Sequence, residues 1–266
     1  MLREQPVIAL LIDVGNSRVR VAGWRKSDGV MGSAAGDRRH FPQEVAPLVP
    51  IGSWSTTRIF DDGGKTFRSD LKRHLERGKK IPVILCSVVP SVTEMFKELS
   101  PEVVVVDHTC ELPFEMALEE PAQVGADRLC NMAAAAQANL ASAIVVDAGT
   151  ATTVDVLKDG VFVGGLIAPG MAVAAASLSQ ATAKLPAIPF AEGELAAGPS
   201  TTVAMARGAF HAGLGGIETL IRGMEEQFGM LPVVVTGGLG HFLDNSTRHH
   251  DPDWTFRGAA YLAQIT

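Results

Sequence analysis

Two short stretches place an aspartate and a glycine turn directly behind an apolar run: Leu11-Ile-Asp-Val-Gly-Asn-Ser17 and Val145-Val-Asp-Ala-Gly-Thr-Ala151. Asp13 maps onto Asp147 and Gly15 onto Gly149, half a chain apart. A glycine turn lets an anion approach the main chain, where backbone N–H groups can hold it. Asn16, Ser17, Thr150 and Thr152 add side-chain donors. An aspartate at a strand end can hold a Mg²⁺ ion directly or through water, as phosphoryl transfer requires. One such turn is ordinary loop chemistry. Two, each behind a buried run, imply an internal repeat with one phosphate loop per half and the polyphosphate held between them.

A second group is Asp127-Arg128. A carboxylate can take the proton of an attacking alcohol, and a guanidinium offers a planar fork for a substrate carboxylate. The same pair also reads as a local ion pair opening a helix. His249-His250 near Asp251 and Asp253 reads as a solvated loop, because adjacent residues rarely converge on one ion. His211 reads as structural or as an interface residue. Gly164-Gly165 and Gly237-Gly238 do not form G-x-G-x-x-G, which argues against a dinucleotide-binding dehydrogenase.

The elements that must position these groups alternate. Strands are expected over 7–12, 19–24, 83–86, 103–106, 143–146, 152–157 and 233–235, with 162–163 extending the second sheet. Lys158-Asp-Gly160 is a hairpin turn. Helices are expected over 68–80, 91–99, 129–140 and 201–227, with an Ala-rich helix after Gly170 and a terminal one ending near Ala263. Ser91-Val-Thr-Glu94 has the pattern of a capping box. Gly213, Gly215 and Gly216 suggest close packing or a bend in the long helix. Strands alternating with helices imply α/β layers. The expectation is a two-lobed α/β chain whose mixed sheets each open on an Asp-x-Gly hairpin, divided near residue 117 into lobes 1–117 and 118–266.

Composition narrows the class. The 266 residues carry a net charge of −6, so no general electrostatic attraction to nucleic acid is expected. The basic stretch Arg68–Lys80 reads as a solvated helix face over Phe67, Leu71 and Leu75. No apolar run is long enough to span a bilayer, and no signal peptide is visible, since Val7–Ile12 ends on an aspartate. Three cysteines, Cys86, Cys110 and Cys130, cannot all pair within the chain. Cys86 lies in an apolar run and reads as core, and a reducing, cytoplasmic compartment fits.

The two Asp-x-Gly turns resemble the phosphate loops of the acetate and sugar kinase, Hsp70 and actin superfamily. A closer resemblance is to the type III pantothenate kinase family. It is carried in order by Asp13-Val-Gly-Asn-Ser-Arg-Val-Arg20, Ser87-Val-Val-Pro90, Gly125-Ala-Asp-Arg128, Asp147-Ala-Gly-Thr-Ala-Thr-Thr153, Gly164-Gly-Leu-Ile-Ala-Pro-Gly170, Thr201 with Gly208, and Thr236-Gly-Gly238. Two departures stand out: Leu118 occupies the place of a family tyrosine, and Arg20 that of a lysine in many members.

The resemblance implies an actin-like ATPase (ribonuclease H-like) fold and ATP-dependent phosphorylation of pantothenate at its primary hydroxyl. Asp13, Val14, Gly15, Asn16, Ser17, Arg18, Val19 and Arg20 would form the first phosphate loop, with Asp13 reaching Mg²⁺ through the phosphates. Asp127 would be the general base. Gly125, Ala126, Asp127 and Arg128 would hold pantothenate, and Thr201 would touch it. Thr150 would contact ATP, and Gly237 and Gly238 would border the adenosine. Asp147 would help bind a potassium or ammonium ion. A homodimer is implied as well. The rival readings are a superfamily kinase for another small alcohol, which Leu118 favours, and a non-catalytic nucleotide-binding accessory protein.

Overall fold

The computed structural model describes residues 7–25, 48–59, 65–69, 81–100 and 102–265. It contains two sheets built to one plan.

In the first sheet, β1 (Val7–Val14), β2 (Arg18–Arg25) and β3 (Leu48–Ser55) form an antiparallel meander, with β4 (Val83–Ser87) and β5 (Val104–Val105) added parallel on the other side. The spatial order is β3-β2-β1-β4-β5. The near-continuous apolar run of β1 suits a central strand covered on both faces. One face packs Leu10, Ile12, Val14, Val19, Val21, Val83 and Leu85 against Val92, Met95 and Phe96 of α1 (Pro90–Leu99). The opposite face meets α2 (Ala126–Gln137) and the terminal helix, here α5 (Trp254–Ile265).

The second sheet repeats the plan. The antiparallel meander is β7 (Ala143–Ala148), β8 (Ala151–Lys158) and β9 (Val161–Pro169). The parallel strands are β10 (Val233–Thr236) and β11 (Arg248–His250). A two-residue strand, β6 (Glu115–Met116), lies beside β9. The turn expected at Lys158-Asp-Gly160 forms with Asp159 and Gly160 both at positive φ, 52° and 80°, as a tight hairpin requires. Helices α3 (Met171–Ala181) and α4 (Thr201–Phe228) accompany this sheet. Ile217 and Ile221 of α4 pack on Ile144, Val146, Val154 and Val156. Of the glycines expected to permit close packing in α4, Gly213 is the one that does so. A side chain there would stand 2.6 Å from Met171, whereas Gly215 and Gly216 face open space.

By packing, the chain forms two compact units. The first comprises Met1–Glu115, Glu119–Asn139 and Trp254–Thr266; the second comprises Met116–Leu118 and Leu140–Asp253. The sequence reading divides the chain once, near residue 117. In the structure α2 and α5 belong with the first sheet.

Local differences have physical causes. The capping box at Ser91–Glu94 does not form. Pro90 occupies the first turn of α1, and Thr93 instead donates to the Ser87 hydroxyl at 2.8 Å. Helix α2 starts at Ala126 rather than 129, which puts Asp127 inside its first turn. His249 and His250 lie on β11 and not in a loop, and neighbours on a strand point to opposite faces. Phe67 is buried within a helical stretch over 65–69; the remainder of the expected basic helix, 70–80, lies outside the described residues.

Candidate active site

In the first unit, the turn after β1 is tied down on both sides. Gly15 N–H donates to Arg18 O at 2.9 Å, Thr56 Oγ1 donates to Gly15 O at 2.7 Å, and Thr56 N–H donates to Ser17 O at 3.1 Å. Asn16, Ser17 and Arg18 are exposed at its tip. The Gly15 N–H is therefore engaged inside the turn. Asp13 pairs across the strands with Arg20, whose Nε and Nη2 both donate to Asp13 Oδ2, at 3.0 and 2.8 Å. The Arg20 guanidinium lies over the Phe256 ring of α5, 4.7 Å from its centroid.

On the same face of that sheet, Cys86 stands level with Asp13 on β4 and meets Cys130 of α2. The hydrogen bond with Cys130 and then burial push the Cys86 thiol well above the ordinary thiol range, with Asp13 and Asp127 adding to the rise. This thiol stays neutral, as its core reading requires. Asp127 Oδ1 accepts from Arg128 N–H at 2.8 Å, and a side chain on Gly125 would come within 2.5 Å of that same oxygen. Val88 of the Ser87–Pro90 element packs beside Gly125. The first turn, the Ser-Val-Val-Pro element and Gly125–Arg128 thus belong to one unit.

In the second unit, Asp147 has Thr153 as its antiparallel partner and Thr236 as its parallel partner. Side-chain alternation puts all three, and Asp155, on the face away from the Val146–Val154 core. The hydroxyls of Thr153 and Thr236 are buried without a hydrogen-bond partner among the described residues, as is that of Thr152 on the opposite face. A buried hydroxyl left unpaired costs free energy, and two flanking one carboxylate form an oxygen set suited to a hard cation. Gly237, at φ 87°, lies against this carboxylate. Leu239 N–H donates to Ala148 O at 3.0 Å, and Gly170 N–H donates to Thr150 O at 3.1 Å. Gly170 has no room for a side chain, since one would stand 2.2 Å from Gly149 O. Thr150 itself is exposed at the tip.

This order of motifs on a duplicated sheet can be compared with known proteins. The family model described as type III pantothenate kinase matches residues 9–223. The chain belongs to this family. A type III pantothenate kinase of Dehalococcoides mccartyi (strain CBDB1) is 35% identical over 201 residues, covering 72% of this chain and 76% of the relative. One from Agathobacter rectalis is 31% identical over 261 residues, 94% of each chain. Among solved structures, a Campylobacter jejuni protein described as a Baf family transcriptional activator aligns over 96% of this chain and 97% of its own, at TM-score 0.55 and 21% identity. A Sinorhizobium meliloti protein described as a 2-dehydro-3-deoxygalactonokinase covers 96% of each at TM-score 0.51 and 16% identity. Both likenesses concern the fold, which is that of the actin-like ATPase and sugar kinase class.

The other expected positions fall as follows. Thr201 is the first residue of α4, exposed, behind the Ser200 cap, whose hydroxyl accepts from Val203 N–H at 3.3 Å. His211 Nε2 lies 2.8 Å from Gly193 O, so it ties the 187–199 stretch to α4. Leu118 packs beside Gly164, which has φ 108°. Among the described residues no group of three or more His, Cys, Asp or Glu is arranged to hold a metal. Asp155, 1% exposed and fitted against Gly165, was missed from sequence, as were Thr153 and Thr236 as a pair. A lone aspartate inside the apolar run Thr152–Leu157 was the available signal for the first.

Proposed function

We propose that this chain transfers the γ-phosphoryl group of ATP to the primary hydroxyl of pantothenate, the first step toward coenzyme A. The observation that carries the reading is Asp127 in the first turn of α2, its Oδ1 set against Gly125, in the same compact unit as the Asp13 turn. The substrate oxygen attacks the γ-phosphorus, the bond to the bridging oxygen breaks, and ADP leaves. Asp127 takes the hydroxyl proton. Arg128 and the main chain of Gly125 and Ala126 hold the pantothenate carboxylate end, and Thr201 adds a contact. The run Asp13–Arg20 and Thr150 hold ATP. Mg²⁺, when bound, supplies charge neutralisation on the phosphates, and Asp13 is the side chain assigned to it. Asp147, with the hydroxyls of Thr153 and Thr236 that lack a hydrogen-bond partner among the described residues, is assigned a monovalent cation, potassium or ammonium. A homodimer in the cytoplasm completes the proposal.

The test is coupled ADP release by purified protein with ATP, Mg²⁺ and pantothenate, in potassium or in sodium as the added monovalent cation. Pantothenate-dependent release that needs potassium is expected. Folded, ATP-binding protein that releases no ADP in either salt would sink the proposal. Leu118, beside Gly164 where the family tyrosine is expected, favours a second reading, another small alcohol as acceptor. A panel of alcohols compared with pantothenate separates the two. Light scattering on the purified protein tests the dimer.

A further inference from the structure

We infer, on the reading of Asp127 as the general base, that the start of the terminal helix α5 sets where that base stands. Thr255 and Trp254 are positioning residues for the reaction, and both act through Asn131 of α2.

Helix α2 carries Asp127 and Arg128 in its first turn, yet Gly125 at its N-cap brings no side chain to hold that turn. The anchor lies one turn further on. In an α-helix the N–H of residue 131 bonds the carbonyl of residue 127, and the two side chains share a face. Asn131 is 1% exposed and is gripped twice from α5. Trp254 Nε1 donates to its carbonyl oxygen at 3.0 Å, and Thr255 Oγ1 donates to its Oδ1 at 2.9 Å. Trp254 and Thr255 are themselves buried. A helix crossing made for packing alone has no use for a buried asparagine and threonine, each of which costs free energy to desolvate. What the pair adds is direction: a buried hydrogen bond specifies one register between the helices, which apolar contact does not.

The two backbones also touch. A side chain on Gly258 would collide with Cys130 O, so α5 crosses α2 in main-chain contact one residue before Asn131. Buried alanines, Ala133 to Ala135 on α2 and Ala259 and Ala260 on α5, keep both helices thin. Between these anchors stands Phe256, whose ring lies under the Arg20 guanidinium, 4.7 Å from centroid to carbon. Arg20 in turn grips Asp13 at the first turn. Residues 254–258 thus hold α2 through Asn131 and Cys130, and meet the β1–β2 pair through Phe256. All of these residues belong to the first compact unit. The start of α5 is therefore a gauge between the strands that present the first turn and the helix that presents the base.

The experiment measures kcat and KM for ADP release by the wild type, Thr255→Val, Thr255→Ser, Asp127→Asn and the double variant of Asp127→Asn with Thr255→Val, each below its melting temperature. Thr255→Val keeps the shape and removes the hydroxyl. Its kcat is expected to fall about 10- to 100-fold, the effect of a misplaced reacting group. Its KM for MgATP should stay at the wild-type value, while the KM for pantothenate rises, because Arg128 shares the displaced turn. Thr255→Ser keeps the hydroxyl and is expected near the wild-type kcat. In the Asp127→Asn background Thr255→Val is expected to lower kcat no further, since the group it positions is already gone. A folded Thr255→Val enzyme with the wild-type kcat overturns the inference, and so does a serine variant as slow as the valine one. A double variant slowed by the product of the two single factors overturns it as well, with the base reading intact. A wild-type kcat in Asp127→Asn alone sinks the base reading, and the inference falls with it. Should Thr255→Val fail to fold, Trp254→Phe, which removes the Nε1 donor and keeps an aromatic ring, takes its place in the same cycle under the same criteria.

Discussion

The α-carbon of Gly237 lies against the carboxylate of Asp147: a side chain built on that glycine would stand 2.4 Å from Asp147 Oδ1. The backbone there is at φ 87°, a region L-residues enter only under strain. Two separate requirements thus demand glycine. Gly237→Ala is expected to cost about 1–3 kcal/mol of stability from the strained backbone, and also to displace the carboxylate. Urea unfolding reads the first effect. The potassium dependence of ADP release reads the second, and an unchanged dependence would detach Gly237 from the proposed cation site.

The Thr236 hydroxyl is wholly buried and unpaired among the described residues. An unpaired buried hydroxyl costs about 1–3 kcal/mol, so a protein keeps one where something else uses it. Thr236→Val removes the hydroxyl at constant shape. Its melting temperature is expected to equal or exceed that of the wild type in sodium. Its half-saturating potassium concentration is expected to rise about 10-fold, the worth of one lost ligand contact. A lower melting temperature with unchanged potassium response would show a structural hydroxyl instead.

Much of this was legible in the sequence, and particular residues explain how. Asp13 and Asp147 each follow a run apolar enough to be a central strand, and that repeat alone implies the duplicated sheet. The register that brings Thr153 and Thr236 beside Asp147 was not legible. It depends on pairing between β7, β8 and β10, and β10 is distant in sequence. The placement of α2 and α5 on the first sheet was hidden for a related reason. Their partners are long-range, as in the Trp254 Nε1 bond to Asn131 O at 3.0 Å. The Ser91–Glu94 pattern misled because the helix starts at Pro90, which puts Ser91 inside the first turn and not at the cap.

Arg248 of the edge strand β11 grips Glu218 of α4 through both terminal nitrogens, Nη1 to Oε1 at 2.7 Å and Nη2 to Oε2. The hydrogen bond from Arg248 holds the Glu218 carboxyl below its ordinary value of 4.5, against the opposing pull of burial. A depressed carboxylate pKa stabilises the fold above the unfolded pKa, and that contribution disappears as pH falls through the folded value. Glu218→Gln is therefore expected to melt lower than the wild type at pH 7, and the gap should close as pH falls below 4.5. The size of the gap is modest because Glu218 is partly exposed and solvent screens the pair. Melting curves across that range decide it, and a gap that stays constant with pH would show that shape, and not charge, makes the difference.

Asp127 can be separated from binding because of where it stands. It lies in the first turn of α2, with Oδ1 accepting from Arg128 N–H at 2.8 Å, while the proposed ATP contacts come from the turns after β1 and β7. Asp127→Asn keeps the size and an acceptor oxygen for that bond, so the helix start should survive. What it loses is the ability to take a proton from the attacking hydroxyl. A general base contributes about 10²- to 10⁴-fold. The variant's kcat is expected to fall by that factor, with ATP affinity by calorimetry and the melting temperature near those of the wild type. Arg128→Met should instead raise the KM for pantothenate far more than it lowers kcat, because it removes a grip on the substrate rather than a step in the chemistry. The two signatures must differ. If Asp127→Asn also appears only in the KM for pantothenate, Asp127 is a binding residue and the proton goes elsewhere.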